Sequence, residues 1–351
     1  MSALGWATAA VALGLAALAL GLEAAGFDAA AALGALWLGA FGSWDAFTST
    51  TLVRAVPLII IGLGIAIAFR GGSLNIGAEG QFYAGAIAAT WVGLHAGGWP
   101  AGLAVGALLL AAAVSGLCWV AVPAWLKLRF GVIEVISTLL LNFVAVSLVS
   151  LMVQGPLQER ERIYPQSDAI AEAARLPLFP GSRLHAGLVI AVVGGLILWF
   201  LFAKTLWGFR LRAVGIGPRA AEISGRIDSQ RTGAVALLLS GAIAGLAGGV
   251  EVSGVTYALF QNLSPGYGFT GIAVALLGGL HPIGVVLSGI LFGALQAGAG
   301  AMQREAAVPA VAVYVVEAVV IIVAVLATAP RGGWIGLRGV VRRRIAPKAA
   351  R

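Results

Sequence analysis

Three polar side chains lie close together in the glycine-rich stretch 71–81, between two apolar runs: Asn75, Glu79 and Gln81. Amide and carboxylate groups bind polar solutes through hydrogen bonds, and an ionisable residue inside a membrane usually faces a cavity or a partner. We therefore expect these three residues to lie along a solute pathway. The alternative is that Glu79 caps or pairs with a neighbouring element and never touches a solute.

A second pair of polar residues, Glu134 and Asn142, is separated by eight positions in another apolar run. A helix would place the two side chains on one face about two turns apart, so we assign them to the same pathway. Two structural alternatives stay open. Glu134 could pair with Lys127 or Arg129, and Asn142 could bond across to a neighbouring helix.

Other kinds of chemistry find no support in the residues. The chain has no G-x-x-x-x-G-K-[ST] loop for nucleotide phosphates. Its three histidines, His95, His185 and His281, lack the spacing of metal ligands. The single cysteine, Cys118, cannot form a disulfide within the chain. We therefore predict no catalytic residue, no metal and no cofactor on this chain, and we do not expect an enzyme.

The composition indicates what kind of element holds these side chains. Of the 351 residues, 60% are hydrophobic and 10% are charged, and the mean hydropathy is +0.99. A soluble domain carries about 25% charged residues, so this chain has too few polar side chains to cover a water-facing surface. The composition excludes a soluble enzyme and a nucleic-acid-binding module, and it predicts an all-α polytopic membrane protein.

Ten apolar runs are candidates for transmembrane helices, each of which needs roughly 20 apolar residues. The first run is not preceded by Lys or Arg, so we interpret it as an uncleaved span rather than a signal peptide. A further run at 29–41 is short and is expected to lie flat or to re-enter. The ten candidates are 3–22, 51–69, 82–95, 101–123, 132–153, 185–203, 232–252, 269–281, 284–300 and 309–327.

Basic residues orient this predicted bundle, because loops rich in Lys and Arg face the cytoplasm. Six basic residues lie within 204–231, and seven follow Pro330. Placing both segments inside puts the N- and C-termini in the cytoplasm. Residues 1–330 then form one transmembrane domain, and residues 331–351 form a basic cytoplasmic tail.

Two other loops agree with this orientation. The short loop that contains Lys127 and Arg129 falls on the cytoplasmic side. The long loop 154–184 falls outside, and its four arginines are balanced by four acidic residues. The ten-span arrangement is therefore consistent with the charge distribution.

Two of the predicted spans, 82–95 and 269–281, are short. As helices each would measure about 20 Å, less than the bilayer core of about 30 Å. Each follows a polar break that contains glycine, at 71–81 and 261–268. They are the third and eighth of the ten runs, so an even number of spans lies between them and the two point in opposite directions. This pattern predicts an inverted repeat with broken helices at a transport path. The alternative is a pair of surface loops beside short, tilted spans.

The basic segment 204–231 contains its own helix signals. Gly217-Pro218 predicts a helix start, and Gly225 predicts the helix end. A helix of two turns is unstable alone, so it must pack on something, and the small side chain of Ala221 would let a partner approach closely. The alternative is an ordinary basic loop that only orients the protein.

These motifs together resemble the permease subunits of ATP-binding cassette (ABC) importers, in the branch of simple-sugar, nucleoside and branched-chain amino-acid permeases. The resemblance runs from about Val56 to Gly336. Leu74–Gln81 (LNIGAEGQ) and Glu134–Asn142 (EVISTLLLN) are similar to nucleoside-type permeases that work with lipoprotein receptors. Gly268–Gly279 is typical of the wider family.

The resemblance implies partners and a role. A second permease subunit would complete the pathway, forming a heterodimer. A cytoplasmic ABC ATPase would bind the ATP, and an extracellular or periplasmic lipoprotein would deliver the solute. The expected solute is a nucleoside, with a simple sugar second. The expected location is the inner membrane of a bacterium, among membrane lipid and without nucleic acid.

The resemblance also assigns residues to a coupling loop that docks on the ATPase. Gly217 departs from the family, where a polar residue often precedes the proline, and this departure removes a side-chain cap. The matching residues are Arg212, Gly215, Pro218, Ala221 and Gly225.

A rival hypothesis is a secondary carrier driven by an ion gradient. Glu317 or Glu79 could supply its intramembrane ion site, and such a carrier needs no docking helix.

Overall fold

The computed structural model describes residues 14, 16–225, 227–309, 314, 315 and 318. Within these residues the chain is helical, with two isolated β-bridges in its loops. Residues 16–24 are helical. The helices that follow are α1 (Ala29–Phe41), α2 (Val53–Arg70), α3 (Ala78–His95), α4 (Ala101–Phe130), α5 (Glu134–Val153), α6 (Gly187–Lys204), α7 (Leu206–Ile216), α8 (Pro218–Gly225), α9 (Ser229–Glu251), α10 (Tyr267–Leu277) and α11 (Pro282–Glu305).

Short π-helical turns extend two of these helices. Ala46–Leu52 precedes α2, and Val252–Thr256 follows α9. Six helical stretches in the described part of the chain are long and apolar enough to cross a membrane. They are Ala46–Arg70, Ala101–Phe130, Glu134–Val153, Gly187–Lys204, Ser229–Thr256 and Pro282–Glu305.

These six stretches correspond to predicted spans, whereas the total of ten stays a prediction. Most of the first run, 3–22, and nearly all of the last, 309–327, lie outside the described residues. Glu317 and the tail 331–351 lie outside them as well.

The two short spans differ from their predicted bounds. The first was expected to begin at residue 82, but α3 begins at Ala78 and therefore includes Glu79 and Gln81. Glu79 and Gln81 lie before the apolar run but inside the helix, because their polar side chains form hydrogen bonds within the protein. The second short span is a helix of 11 residues, α10.

The run 29–41, expected to lie flat or re-enter, forms a regular helix that packs along α11. Gly298 of α11 lies so close to Leu36 that an added Cβ would be 2.4 Å from the Leu36 carbonyl oxygen. Gly39 faces Ala301 in the same way.

Small residues bring α3, α4 and α9 together at the centre of the bundle. A Cβ on Gly85 of α3 would lie 2.1 Å from the carbonyl oxygen of Gly245. A Cβ on Gly116 of α4 would lie 2.3 Å from that of Gly241. Helices that touch through backbone atoms pack closely without large side chains, as is common in membrane bundles. This explains why many glycines lie inside apolar helices.

The two ends of the bundle have different characters. We call one the basic end, because it carries Lys127, Arg129 and the segment 204–231. Gly71 packs on Leu211 there. We call the other the loop end, because it carries the long loop 154–184.

The long loop is fastened to the segment after α9 by backbone hydrogen bonds. The Ser167 amide donates to the Leu259 carbonyl at 2.8 Å, and the Ile170 amide donates to the Tyr257 carbonyl at 2.8 Å. On its other side, the Ala171 amide donates to the Gly93 carbonyl at 3.0 Å. The loop therefore connects the end of α3 with the segment that leads to α10.

Candidate solute pathway and coupling surface

The two glycine-containing breaks enter the bundle from opposite ends and meet inside it. The first starts at the basic end, where the Ser73 hydroxyl donates to the Gly233 carbonyl at 3.0 Å and accepts from Lys127 Nζ at 3.0 Å. The second starts at the loop end, where Gln261 Nε2 donates to Ser150 Oγ near the end of α5 at 3.1 Å. This arrangement is what paired broken helices require.

Glu79 joins the two breaks. Its carboxylate Oε2 accepts a hydrogen bond from the Gly268 amide at 2.6 Å, and the side chain is buried. The contact spans the first turns of α3 and α10, where unpaired amides and the helix dipoles both favour a carboxylate. An added Cβ on Gly268 would lie 2.2 Å from the Glu79 nitrogen, so only glycine fits there. The structure thus gives Glu79 the capping role that the sequence left open.

Asn75 and Gln81 form a reciprocal amide pair within the first break. Asn75 Nδ2 donates to Gln81 Oε1 at 2.8 Å, and Gln81 Nε2 donates to Asn75 Oδ1 at 2.9 Å. Asn75 Nδ2 also donates to Ser240 Oγ at 2.9 Å, and Asn75 Oδ1 accepts from the Gly77 amide at 3.0 Å. All three side chains are buried. The pair therefore holds the non-helical backbone against α9.

Asn142 supports the same break from α5. Its Oδ1 atom accepts from the Gly80 amide at 2.8 Å, and its Nδ2 atom donates to the Ile76 carbonyl at 2.9 Å. The side chain is buried. Asn142 thus satisfies two backbone groups that no helix satisfies, which agrees with the helix-bridging alternative.

Glu134 lies at the basic end of α5 and pairs with Lys127, as one sequence alternative proposed. Lys127 Nζ is 2.6 Å from Glu134 Oε1. The same oxygen accepts from the Leu74 amide at 3.3 Å. Lys127 also reaches Ser73, so this ion pair holds the entry of the first break.

The second break is held by residues that the sequence analysis did not select. The Ser264 amide donates to Tyr83 Oη at 3.2 Å, and Ser264 Oγ accepts from the Tyr267 amide at 2.9 Å. Both Ser264 and Tyr83 are buried. The signal for Ser264 was its position just before a proline and a glycine, where a hydroxyl often caps a turn. Ser240 gave a weaker signal, as one polar residue within an apolar span.

Among the residues that the structure describes, no group of three or more His, Cys, Asp or Glu side chains could hold a metal ion.

The basic segment 204–231 forms two helices, α7 and α8, joined at Gly217. Gly215 lies against α2, since its Cβ would be 2.3 Å from the Arg70 carbonyl oxygen. The Arg212 guanidinium donates to the Phe202 carbonyl at the end of α6. Arg212 and Gly215 therefore fasten the segment to the membrane helices of this chain.

The helix predicted from Pro218 to Gly225 is present as α8. Ala221 is buried beside Val214 and Ile227 of the same chain, so its side chain packs inward. The outward residues are different ones. Ile216, the last residue of α7, is 89% exposed, and Ile223 of α8 is 87% exposed. The sequence signal for both was an isolated isoleucine among polar and small residues.

Comparison with known proteins shows to which family a chain with this fold and site belongs. The family described as "Branched-chain amino acid transport system / permease component" matches residues 47–325. The chain belongs to this family. It is therefore an ABC transporter permease, and the permease subunit itself is not an enzyme. Family membership favours this class over the ion-driven carrier that the sequence left open.

Several curated relatives match over most of their length. The guanosine ABC transporter permease protein NupP of Bacillus subtilis is 38% identical over 89% of this chain and 90% of its own. The glucose ABC transporter permease protein TsgB13 of Haloferax volcanii is 38% identical over 77% of this chain and 74% of its own. The guanosine ABC transporter permease protein NupQ of B. subtilis is 30% identical over 70% of this chain and 79% of its own. No solved structure matches the chain.

Proposed function

We propose that this chain is one permease subunit of an ABC importer that moves a nucleoside across a bacterial inner membrane. The similarity to NupP, which covers 89% of this chain, carries the choice of solute. A simple sugar is the second candidate, because TsgB13 has the same identity over a shorter stretch. A nucleoside contains a sugar ring, so the two solutes share hydroxyl groups.

The orientation follows from charge. The basic end faces the cytoplasm and the loop end faces outward, as the excess of Lys and Arg indicates. A solute-binding lipoprotein then delivers its cargo at the loop end. There Ile163 and Tyr164 stand exposed on the long loop.

The two breaks form the wall of the pathway. Backbone that leaves the helical conformation at membrane depth is tolerated only inside protein or beside a wet cavity. Asn75, Glu79, Gln81, Glu134 and Asn142 all bond to the protein's own groups. We therefore assign them the role of holding this backbone in place beside the solute.

A second permease subunit completes the pathway. The chain is similar to both NupP and NupQ, two permeases of one organism. This supports a heterodimer of two related but different subunits.

Energy enters through α8 and the end of α7 that precedes it. Ile216 and Ile223 project from the basic end, although a large apolar side chain gains from burial rather than from contact with water. A groove on a cytoplasmic ATPase would cover them, while Arg212, Gly215, Pro218, Ala221 and Gly225 shape and anchor the loop. ATP is bound by that partner.

Co-purification tests this coupling surface. The tagged chain is purified from its native membranes, and the ABC ATPase that accompanies it is identified and quantified. We expect Ile223→Asp and Ile216→Asp to lose the ATPase while the chain keeps its membrane level. The matched control is Ile163→Asp, which changes another exposed isoleucine, at the loop end. Full retention of the ATPase by both coupling variants would contradict the assignment.

A further inference from the structure

A large open cavity lies at the loop end, away from the two breaks, and the proposed function does not use it. Its volume is about 1110 Å³. Its walls come from α3, α4, the end of α5 and the start of the long loop. A cavity of this size would hold a ligand larger than most small solutes, whose pockets measure roughly 300–1000 Å³.

The deep part of the cavity is an apolar trough. On α3 it is lined by Ala88 and Val92, which are four positions apart and share one face of the helix, and by Ile87 beside them. On α4 it reaches Ala111 and Ser115. These residues lie ten and fourteen positions beyond Ala101, or about 15 and 21 Å along the helix from its loop end. Half of a bilayer core measures about 15 Å, so the trough is as deep as one leaflet.

The deep wall offers no free hydrogen-bond donor to a polar solute. The deep wall has a hydroxyl group, that of Ser115, which already donates to the Ala84 carbonyl at 2.9 Å. A hydroxyl-rich solute would lose its water there without gaining partners, which costs free energy. A hydrocarbon chain forms no hydrogen bonds with water, so it would lose none on entering the trough.

The mouth of the cavity is polar and carries the ion pair of Arg160 and Asp168, in which one edge of the guanidinium is unpaired among the described residues. The Arg160 side chain is 94% exposed, and its Nε atom lies 3.5 Å from Asp168 Oδ2. Its two terminal nitrogens make no hydrogen bond to any residue that the structure describes. A guanidinium with a free edge matches a phosphate, which can accept two parallel hydrogen bonds.

Two aromatic side chains complete the mouth. Trp91 is 57% exposed, and its ring centroid lies 4.8 Å from that of His95. His95 Nδ1 donates to the Trp91 carbonyl at 2.7 Å, which fixes the imidazole. Exposed tryptophan at this level is typical of a residue at the boundary between lipid tails and headgroups.

We propose that this cavity binds a phospholipid of the leaflet at the loop end. The phosphodiester lies at Arg160, and one acyl chain lies in the trough between Ile87 and Ala111. The occupant is a resident lipid of the transporter and not its cargo. The proposal rests on the unpaired edge of the Arg160 guanidinium at the mouth and on the depth of the trough, so it does not depend on which solute is imported.

Photocrosslinking in nanodiscs tests the site. The full-length chain is reconstituted in phosphatidylcholine that contains phosphatidylglycerol with a diazirine in its acyl chain. After illumination, mass spectrometry locates the labelled residues. We expect labels concentrated on 87–92 and 111–115, above the level on the lipid-facing side of α5, where Phe143 is exposed.

Two matched pairs of variants separate the mouth from the trough. Arg160→Ala should reduce labelling about fivefold, the usual effect of one basic residue on an anionic headgroup, whereas Arg162→Ala should not. Ala111→Phe should fill the trough and abolish its labels. Leu110→Phe, at the neighbouring exposed position, should leave them unchanged.

Competition distinguishes the other occupants. Labelling should persist with excess guanosine, glucose or inorganic phosphate, and in the complex with the second permease. Displacement by any of these would overturn the proposal in favour of a solute site, a free-anion site or a subunit interface. Equal labelling of all lipid-facing helices would also overturn it. So would unchanged labelling in Arg160→Ala or in Ala111→Phe.

Discussion

The carboxylate of Glu79 and the amide of Gly268 are 189 positions apart in the sequence and form a buried hydrogen bond of 2.6 Å. Each residue lies in the first turn of a helix that follows a break. The bond therefore joins the two breaks, 71–81 and 261–268. Any movement of one break against the other must change or break this contact.

Glu79 should tolerate Gln but not Leu. Glu79→Gln keeps an oxygen that can accept from Gly268, so we expect most of the stability to remain. Glu79→Leu leaves the Gly268 amide buried without a partner, which costs about 1–3 kcal/mol of the free energy of unfolding. SDS titration of the purified chain measures this difference.

The matched change on the other side is Gly268→Ala. Its Cβ would lie 2.2 Å from the Glu79 nitrogen, so the two breaks must separate. Overpacking of this kind costs about 1–3 kcal/mol. If Glu79→Leu and Gly268→Ala both unfold like the wild type, the contact has no structural role.

The Asn75–Gln81 pair should behave as one unit. Each single change to Leu removes both bonds between the two amides. Asn75→Leu leaves the Gln81 amide without these partners, and Gln81→Leu leaves one N–H of Asn75 unpaired although its bonds to Ser240 and Gly77 remain, so each should destabilise the chain by about 1–3 kcal/mol. The double variant should cost much less than the sum, because the two residues share their bonds. A double-mutant cycle of unfolding free energies tests this. Strict additivity would show that the two amides act independently.

A pathway role for the same residues predicts a second result. With Cys118→Ala as background, cysteine at position 75 or 81 should react with a small hydrophilic thiol reagent. The rate should change during ATP-driven turnover. Cysteines that stay inert in every state would restrict Asn75 and Gln81 to packing.

Lys127 and Glu134 should be coupled through their ion pair. Both side chains are partly buried, with 25% and 13% of their surface exposed. Lys127→Met should cost about 1–3 kcal/mol by leaving the carboxylate without its charged partner. Adding Glu134→Gln should recover part of this loss, whereas Arg129→Met at the exposed neighbouring position should cost little. The prediction is wrong if the Lys127 and Arg129 variants unfold alike.

The long loop should loosen in acid. The Gln166 side chain and the amides of Tyr164 and Ile163 bond to Glu159 and hold the pKa of its carboxyl below the usual 4.5. Because the pKa of Glu159 is lower in the folded loop than in the unfolded chain, its ionised carboxylate stabilises the folded loop at pH values above the unfolded-state pKa. This stabilisation is lost as the pH falls through the folded-state pKa. Hydrogen exchange at Tyr164, corrected for intrinsic rates, should accelerate below pH 4.5. Glu159→Gln should remove this change and Glu161→Gln should keep it; the same pH profile in both variants would refute it.

Sequence alone located the elements of the site but not their contacts. The two breaks and the short helix from Pro218 to Gly225 follow from local glycine and proline signals. The bond between Glu79 and Gly268 does not, because local patterns carry no information on which distant backbone lies beside a side chain. For the same reason the sequence could not choose between solute contact and support of backbone for Asn142.

The direction in which a side chain points was also beyond the sequence. In a helix of eight residues such as α8, hydropathy cannot show which face the rest of the chain covers. Ala221 was selected for its small size, yet it packs inward. The exposure of Ile216 and Ile223 becomes evident only when α7 is folded against α2 and α6, and α8 against α7 and α9.

ATP-driven uptake tests the central proposal most directly. The chain, its partner permease and its ATPase are reconstituted in proteoliposomes, with ATP trapped inside and the solute receptor outside. We predict that labelled guanosine accumulates only with ATP inside, that Ile223→Asp abolishes accumulation, and that a proton or sodium gradient cannot replace ATP. Accumulation driven by an ion gradient without ATP, or uptake that Ile223→Asp and Ile216→Asp leave unchanged, would contradict the account.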